Sequence, residues 1–444
     1  MRKATVKVEV LFGTMMTLLS ASAVTFKYEA DRNDAVYWLG ETATITVTAL
    51  DDAGLQATAG TVQAVVDNWG EKRLEARTID LSKENPFVIR GQLTEPGFLH
   101  VKLSAEKAEG SLDWGVAFEP ERIESGASCP ADFDAFWKAS KESLDATVPL
   151  DPRIVRVPEK CRPEFDFYNV SFATFEGKRV WGFLSVPKTA TKSSPSPALV
   201  EVSSAGSGSW TYTMPGGGRK DVVYMYFTAH MFEPPTTDDE CLACLGKESE
   251  EYLAKYGRGG YVNAGLDRSP RDYHFYRVAL GINRAVDWLR AREYVDASRL
   301  YYQGGSQGGF FGWMLLGLNG HFSAAALAVP AGSDLCGFRK GRVGGWPQPI
   351  ESYPQELKGK AAESIAYFDG ANFAPRITCP IRVSVGFTDW VCPPASVYAT
   401  FNRLGSTDKV IMNGVGVGHF GQTNTDDERA RRWLLKNQSR KTGR

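Results

Sequence analysis

One junction restricts the possible fold more than any other feature of the chain. The strand-like run Leu300 to Gln303 leads directly into Gly304-Gly305-Ser306-Gln307-Gly308, and the apolar run Phe310 to Leu318 follows. Glycines on both sides of the serine allow a sharp turn, because a side chain there would collide with neighbouring backbone. The pattern therefore predicts a strained strand-to-helix turn that exposes the Ser306 hydroxyl, a nucleophile elbow.

A serine hydroxyl is a poor nucleophile at neutral pH, so Ser306 needs a base and an acid that orients the base. On a strand–elbow–helix scaffold the chain order is serine, acid, histidine, so both partners are expected downstream. His321 and His419 are the two histidines there. His321 follows the elbow helix too soon to fold back onto Ser306 and is predicted to lie at the surface. His419 is the predicted base, because it lies in a glycine-rich loop after the strand-like run Lys409 to Met412.

The acid is expected in the loop after the preceding strand. Cys379 to Gly386 is that strand, and Asp389 lies in the loop Phe387-Thr388-Asp389-Trp390 at its carboxyl end. The sequence therefore predicts Asp389 as the acid that orients the histidine. Asp369 and Asp334 are weaker alternatives.

Two backbone N–H groups are predicted to form an oxyanion hole, which stabilises the negative charge that develops on the reacting oxygen. One belongs to the residue after the nucleophile, here Gln307, and the other to a loop after an earlier strand. The buried run Ala198 to Val202 predicts that strand, and the loop 203–208 follows it. Ala205 is the predicted second donor, with Gly206 as the alternative.

The pattern of secondary structure changes once along the chain. Residues 24–118 carry short runs that alternate apolar and polar residues, which predicts a small all-β, immunoglobulin-like sandwich. Residues 119–444 alternate strand and helix patterns, which predicts a mostly parallel sheet covered by helices on both faces. The sequence therefore predicts an α/β catalytic domain behind a small N-terminal all-β domain.

Residues 1–23 have the pattern of a secretory signal peptide. Arg2, Lys3 and Lys7 precede the apolar run Val10 to Leu19, and Ala21-Ser22-Ala23 supplies a cleavage site. This run is too short to span a membrane, and no other segment reaches the ~20 apolar residues that a transmembrane helix needs. We therefore expect an exported protein, periplasmic or extracellular, that has no membrane partner.

Charge and cysteine content limit the partners and cofactors further. The formal net charge of −1 gives no electrostatic reason to expect a nucleic-acid partner. The seven cysteines cannot all be paired, and Cys241-Leu242-Ala243-Cys244 lacks the second pair of ligands that a zinc site needs. The sequence therefore predicts no metal and no cofactor, and Cys241 and Cys244 are expected to form a local disulfide or to remain free thiols.

Several segments of the predicted catalytic domain resemble the acetyl xylan esterase and cephalosporin C deacetylase family of carbohydrate esterases. They are Pro130 to Trp137, Asn283 to Leu289, Val295 to Gly309 and Gly386 to Pro394. The resemblance implies an α/β-hydrolase fold from about Pro130 to the C-terminus. It also implies a serine esterase that removes acetyl groups from carbohydrates such as acetylated xylan or xylo-oligosaccharides. The catalytic residues would then be Ser306, Asp389 and His419.

The chain departs from this family at three points. Phe420 follows His419 where the family usually has glutamate, and Ala205 stands where the family usually has a tyrosine. The family's Arg-Gly-Gln motif upstream of the serine is missing, and Tyr256-Gly257-Arg258-Gly259-Gly260 occupies roughly that region. An oligomer such as the family's hexamer is possible, and the natural sugar and the position of its ester stay open.

Four aromatic residues near the predicted loops are candidates for substrate binding: Trp210, Trp313, Trp390 and Phe420. Trp210 could stack on a sugar ring and the others could narrow an acyl pocket, although aromatic residues are more often part of a core. Two other functions fit the sequence less well. A peptidase of the prolyl-oligopeptidase type needs a propeller far longer than residues 24–118, and an inactive glycan-binding protein does not need a complete set of serine, acid and histidine.

Overall fold

The computed structural model describes residues 24–69, 73–105, 111–205, 218–421 and 423–436. The predicted signal peptide, Trp210 and the alternative oxyanion donor Gly206 lie outside these ranges. Within them, no helix combines the length and the apolar character that crossing a membrane requires.

Residues 25–118 fold into two β-sheets. Their strands are β1 (Thr25–Ala30), β2 (Val36–Tyr37), β3 (Ala43–Leu50), β4 (Thr61–Asp67), β5 (Arg73–Asp80), β6 (Phe87–Gly91), β7 (Gly97–Ala105) and β8 (Ser111–Phe118). One sheet has the strand order β1-β3-β6 and the other has the order β2-β8-β7-β4-β5. Alternate side chains are buried, for example Ile45, Val47 and Ala49 of β3, because successive residues of a strand point to opposite faces of its sheet.

The described residues after Phe118 form a single nine-stranded sheet with helices packed against it. Its strands are β9 (Arg153–Arg156), β10 (Phe165–Ala173), β11 (Arg179–Pro187), β12 (Ser196–Val202), β13 (Val223–Phe227), β14 (Val295–Gly305), β15 (Ala324–Ala328), β16 (Ile381–Gly386) and β17 (Lys409–Gly414). The order is β17-β16-β15-β14-β12-β13-β11-β10-β9. Neighbouring strands are parallel from β17 to β13, and β11, β10 and β9 add an antiparallel edge. The predicted mostly parallel sheet is therefore confirmed.

Eight α-helices accompany this sheet in the described part of the chain. They are α1 (Phe133–Thr147), α2 (Asp238–Tyr256), α3 (His274–Arg290), α4 (Gln307–Leu318), α5 (Gln355–Ile365), α6 (Gly370–Phe373), α7 (Pro394–Asn402) and α8 (Thr423–Lys436). Helix α3 buries Val278, Ile282 and Leu289, which recur with the spacing of one helix face.

Helix α4 is apolar on every side and lies inside the protein. Phe310, Phe311 and Trp313 have no exposed surface, and the Trp313 indole Nε1 donates a hydrogen bond of 3.0 Å to the Ser333 hydroxyl. The prediction that Trp313 lines a substrate pocket is therefore wrong, because this side chain belongs to the core.

All seven cysteines are free thiols. Cys241 and Cys244 lie one turn apart on α2, so the alternative of a local disulfide is not realised. Burial raises the pKa of the Cys241 thiol to about 11, which keeps it protonated and unreactive at neutral pH.

The N-terminal sheets pack against two loops of the catalytic sheet. The Phe98 ring contacts the Phe387 ring edge-on, with centroids 5.1 Å apart. A Cβ atom on Gly115 of β8 would overlap the Phe387 carbonyl oxygen. The Tyr28 hydroxyl lies 2.9 Å from the position that a Cβ atom on Gly416 would take. The loop after β16 and the loop after β17 are thus both supported by the N-terminal strands.

Gly115→Ala is expected to destabilise the protein and to slow catalysis together. The added methyl group must push Phe387 away, and overpacking of this kind costs about 2 kcal/mol. Phe387 lies two residues before Asp389, so the carboxylate should shift and kcat should fall. Gly246→Ala is the matched control, because its methyl group meets no atom within 4 Å on α2. Thermal unfolding and kcat for a small acetyl ester measure both effects, and wild-type values for Gly115→Ala would contradict this support.

Candidate active site

Ser306 stands at the sharp turn between β14 and α4. Its backbone has a φ of 50° and a ψ of −119°, a conformation that is strained for a residue with a side chain. The turn is held by hydrogen bonds from the Ser306 N–H to the Ala328 carbonyl at 2.9 Å and from the Ala331 N–H to the Ser306 carbonyl at 3.0 Å. This backbone geometry is that of a nucleophile elbow.

Two glycines of the motif are required by close backbone contacts. A Cβ atom on Gly304 would lie 2.6 Å from the Gly308 carbonyl oxygen, and a Cβ atom on Gly308 would overlap the Val202 carbonyl oxygen. A side chain at position 308 would force the elbow away from strand β12, and one at position 304 would force the turn itself open. The glycines therefore allow α4 to begin directly above the sheet.

Three side chains form a continuous chain of hydrogen bonds at this turn. His419 Nε2 lies 3.0 Å from the Ser306 hydroxyl oxygen, and His419 Nδ1 lies 2.8 Å from Asp389 Oδ2. The other carboxylate oxygen, Oδ1, accepts hydrogen bonds from the backbone N–H groups of Val391 at 2.9 Å and Cys392 at 2.8 Å. Asp389 is fully buried and His419 is 6% exposed. The structure thus brings together the serine, acid and histidine named from the sequence.

Backbone contacts hold the acid loop against the histidine loop. The Phe387 N–H donates to the Gly414 carbonyl at 3.0 Å, and the Thr388 N–H donates to the Val417 carbonyl at 3.1 Å. Both loops leave the carboxyl ends of the paired strands β16 and β17. The position of the acid relative to the histidine is therefore set by the sheet and not by the side chains alone.

The weaker candidates from the sequence lie elsewhere. Asp369 caps α6 and accepts hydrogen bonds from the backbone N–H groups of Ala371 and Cys336, each at 3.0 Å. Burial, reinforced by the charge of Asp334, raises the pKa of Asp369 to about 7. Asp334 itself pairs with Arg342, and His321 is exposed at the end of α4. None of these side chains joins the hydrogen-bond chain at Ser306.

Two N–H groups at the elbow have no acceptor within the described part of the chain. They are the backbone N–H groups of Gln307, at the first position of α4, and of Ala205, in the loop after β12. The Ser204 hydroxyl donates a hydrogen bond of 3.2 Å to the Gly305 carbonyl. This bond holds the Ala205 loop against the elbow, as an oxyanion hole requires.

A contact that the sequence did not reveal holds the side chain of Gln307. The Tyr261 hydroxyl donates a hydrogen bond of 2.7 Å to Gln307 Oε1, and Gln307 Nε2 lies 3.5 Å from the Ser203 carbonyl. Gln307 has no exposed surface, and burial raises the pKa of Tyr261, which keeps its hydroxyl a donor. Tyr261 therefore positions the residue that carries one of the two N–H groups. No local pattern marks this tyrosine, which is 46 residues from Gln307 in the chain.

A buried polar cluster lies behind Tyr261. His230 Nδ1 lies 2.6 Å from Glu248, and His274 contacts the Ala229 carbonyl at 2.7 Å and the Tyr252 hydroxyl at 2.5 Å. Two imidazoles and a carboxylate could ligate a metal ion. Burial lowers the pKa of His274 to about 4, so this ring is neutral and both of its nitrogens face hydrogen-bond partners. Hydrogen bonds within the protein occupy both nitrogens of His274 and Nδ1 of His230.

Two of the predicted substrate-binding aromatics are open to solvent beside the hydrogen-bond chain. Trp390, next to Asp389, is 73% exposed, and Phe420, next to His419, is 79% exposed. The Phe420 ring lies edge-on to the His419 imidazole, with centroids 5.2 Å apart. Both rings are thus exposed next to a member of the hydrogen-bond chain, the acid or the histidine.

Tyr261→Phe is expected to lower kcat by about tenfold with little change in KM, because a buried acceptor that loses its donor shifts the residue that carries it. Tyr273→Phe is the matched control, since it also removes a hydrogen bond of a buried tyrosine, that from its hydroxyl to the Val262 carbonyl at 3.1 Å. Both variants should lose similar thermal stability. Equal kcat values for the two variants would show that Tyr261 has no positioning role.

Comparison with known proteins identifies the family of this chain. The family model of acetyl xylan esterases (AXE1) matches residues 121–437. The acetyl esterase Axe7A of Xylanibacter ruminicola is 30% identical over 332 residues, which cover 73% of this chain and 72% of that protein.

Solved structures show the same fold. An acetyl xylan esterase from a Paenibacillus species has a TM-score of 0.59 at 22% identity and covers 72% of this chain and 98% of its own. Another from a Thermoanaerobacterium species has a TM-score of 0.57 at 20% identity and covers 72% of this chain and 97% of its own. The strand–elbow–helix sheet is thus an α/β-hydrolase fold, and the chain, a carboxylic ester hydrolase, belongs to the acetyl xylan esterase family.

Proposed function

We propose that this protein removes acetyl groups from acetylated carbohydrates such as acetylated xylan or xylo-oligosaccharides, with Ser306, His419 and Asp389 as its catalytic triad. The observation that carries the proposal is the unbroken hydrogen-bond chain from Asp389 through His419 to the elbow serine. Membership of the acetyl xylan esterase family supports the class of substrate.

In the proposed reaction, the Ser306 oxygen attacks the carbonyl carbon of the acetyl group and its proton passes to His419 Nε2. The N–H groups of Gln307 and Ala205 donate to the oxygen that becomes negative. His419 then gives the proton to the departing sugar oxygen, which leaves an acetyl group on Ser306. A water molecule, deprotonated by the same nitrogen, releases acetate and restores the serine. Throughout, Asp389 accepts the Nδ1–H bond and stabilises the charged imidazole.

The departures from the family bear on how the sugar is held. Phe420 replaces the usual glutamate with an exposed apolar ring, and Ala205 offers only a backbone donor. We propose that Phe420 and Trp390 supply an aromatic rim that contacts the sugar carrying the acetyl group. Their exposure beside the acid and the histidine supports this role.

The N-terminal part of the chain enters the proposal in two ways. The strand orders β1-β3-β6 and β2-β8-β7-β4-β5 support an immunoglobulin-like sandwich as a domain of its own, ahead of a catalytic domain from residue 119. We also propose that residues 1–23 direct export and are then removed, which would bring the enzyme to polymeric glycans outside the cytoplasm.

We expect kcat/KM for nitrophenyl acetate to exceed that for the butyrate by about ten- to a few hundredfold, because a closed acyl pocket turns each extra methylene into a steric penalty. Acetylated xylan should be deacetylated, a prolyl-peptide substrate should not be cleaved, and a chelator should leave the rates unchanged. Rates that rise from acetate to octanoate would indicate an open lipase-like cleft. Loss of activity with the chelator would contradict the metal-free triad mechanism.

A further inference from the structure

A groove of about 500 Å³ lies where the N-terminal sheets meet the catalytic unit. Its walls come from the turn after β4, the connection between β6 and β7, the segment around Lys340 to Val343, and the start of α7. Both units of the chain therefore build it, and neither would form it alone.

Trp69 is held rigidly in one wall of this groove. Its φ of 72° lies in the left-handed region, which is strained for a bulky residue. Its N–H donates a hydrogen bond of 2.8 Å to Asp67 Oδ1. Its indole stacks on the His100 ring with centroids 4.8 Å apart and planes 20° from parallel. A strained backbone with a locked ring fixes an aromatic surface in advance, which lowers the entropy lost on binding.

His100 is anchored in turn by two carboxylates. Its Nε2 lies 2.8 Å from Asp113 and its Nδ1 lies 3.6 Å from Asp67. Burial alone lowers the His100 pKa, but the hydrogen bonds and charges of Asp113 and Asp67 outweigh it and raise the pKa to about 9. At neutral pH a charged imidazolium therefore lies beneath the indole and holds it by a cation–π contact.

The remaining lining suits an uncharged ligand rich in hydroxyl groups. Gln92 and Asn68 contribute amides, and Leu74 and Pro393 contribute apolar surface. The two cations of the lining are already neutralised, since Lys340 pairs with Glu124 at 2.9 Å and Arg342 pairs with Asp334 at 2.9 Å. Glu95 also lines the groove, and its exposed carboxylate can accept hydrogen bonds from hydroxyl groups. An aromatic face beside amides, paired cations and this acceptor matches a neutral sugar, which has an apolar face and a polar edge.

The groove borders the loop that carries the acid of the triad. Phe98 lines it and packs on Phe387, two residues before Asp389. Pro393 and Ala395, which follow Asp389 at the other end of this loop, also line the groove. The exposed Trp390 lies between these two anchors, so the aromatic rim of the active site and the groove are neighbours on one loop.

We propose that this groove is a distal subsite that binds neutral sugar residues of the same glycan chain whose acetyl group lies at Ser306. The inference rests on the proposed function and extends it: the enzyme would prefer long acetylated glycans to single acetylated sugars. Trp69, shortly after β4 in the N-terminal unit, would contribute this preference.

The test compares KM and kcat for long acetylated xylo-oligosaccharides and for xylose tetraacetate. Trp69→Ala removes the aromatic surface of the groove. Thr94→Arg places a long side chain in the groove from an exposed position. Both variants should raise KM for the long substrate about tenfold, as truncation of an aromatic anchor does. They should leave kcat for the long substrate within about twofold of the wild-type value. For xylose tetraacetate, KM and kcat should both stay within about twofold. Trp38→Ala is the matched control, since Trp38 is 63% exposed on the same unit and does not line the groove.

Unchanged KM values for the long substrate in both variants, with wild-type deacetylation intact, would overturn the subsite and leave the proposed function standing. A wild-type dimer that Thr94→Arg dissociates in solution would also overturn it, because the occupant would then be a second copy of the chain. Failure of the wild type to deacetylate either sugar would instead refute the proposed function, and the subsite with it.

Discussion

Replacing Ser306 with alanine is expected to reduce kcat/KM for acetyl esters by about six orders of magnitude, since the members of a triad act as one unit. His419→Ala should reduce kcat/KM by a similar factor, because without the imidazole the serine keeps its proton. The double variant should be little worse than either single one.

The fold should survive these changes. Ser306 holds the elbow through its backbone N–H and carbonyl, which alanine retains, so thermal unfolding should stay near that of the wild type. Ser193→Ala, in an exposed surface turn, is the matched control and should be fully active. Substantial hydrolysis by folded Ser306→Ala would mean that another group is the nucleophile.

Asp389→Asn is expected to lower kcat by about ten thousandfold. Oδ1 would go on accepting the N–H bonds of Val391 and Cys392, so the new amide NH₂ would face His419 Nδ1. That nitrogen would have to accept a hydrogen bond, which places the ring proton on Nε2, where it points at Ser306. The imidazole could then no longer take the serine proton.

The matched control for this change is Asp408→Asn, which removes an exposed carboxylate paired with Arg382 at the amino ends of β16 and β17, away from His419. It should leave kcat unchanged. Nearly full activity of Asp389→Asn would mean that a different carboxylate orients His419. The buried Asp369 would then be the next candidate, despite its role as the cap of α6.

The sequence could predict the elbow and the order of the triad because both depend on local pattern and chain order. Gly304 and Gly308 are required by backbone contacts within or next to the motif. Asp389 and His419 each follow a strand of a parallel sheet, and the carboxyl ends of such strands meet at one edge. Strand patterns and chain order together thus predicted that these two loops meet, and the structure joins them by a hydrogen bond.

The sequence misjudged Trp313 because α4 is apolar on all sides. An apolar run without a polar face gives no sign of which residues face a pocket and which face the core. Proximity in sequence to Ser306 suggested a pocket, but the helix runs away from the elbow into the interior, where Trp313 bonds to Ser333.

Other long-range contacts could not be predicted. Tyr261 reaches Gln307 from a loop with no regular periodicity. In sequence, Gly115 looks like an ordinary strand residue. A side chain does not fit at this position because Phe387 packs against it. Such contacts depend on how separate elements are placed in space, which propensity and periodicity do not encode.

Covalent labelling tests the central claim most directly. An alkyl fluorophosphonate should label one residue per chain, Ser306, identified by mass spectrometry of the peptide that spans the elbow. Deacetylation of acetylated xylan should fall in proportion to the labelled fraction, and Asp389→Asn should label far more slowly. A label on another residue, or full deacetylation by protein labelled at Ser306, would contradict the assignment of the triad and its substrate.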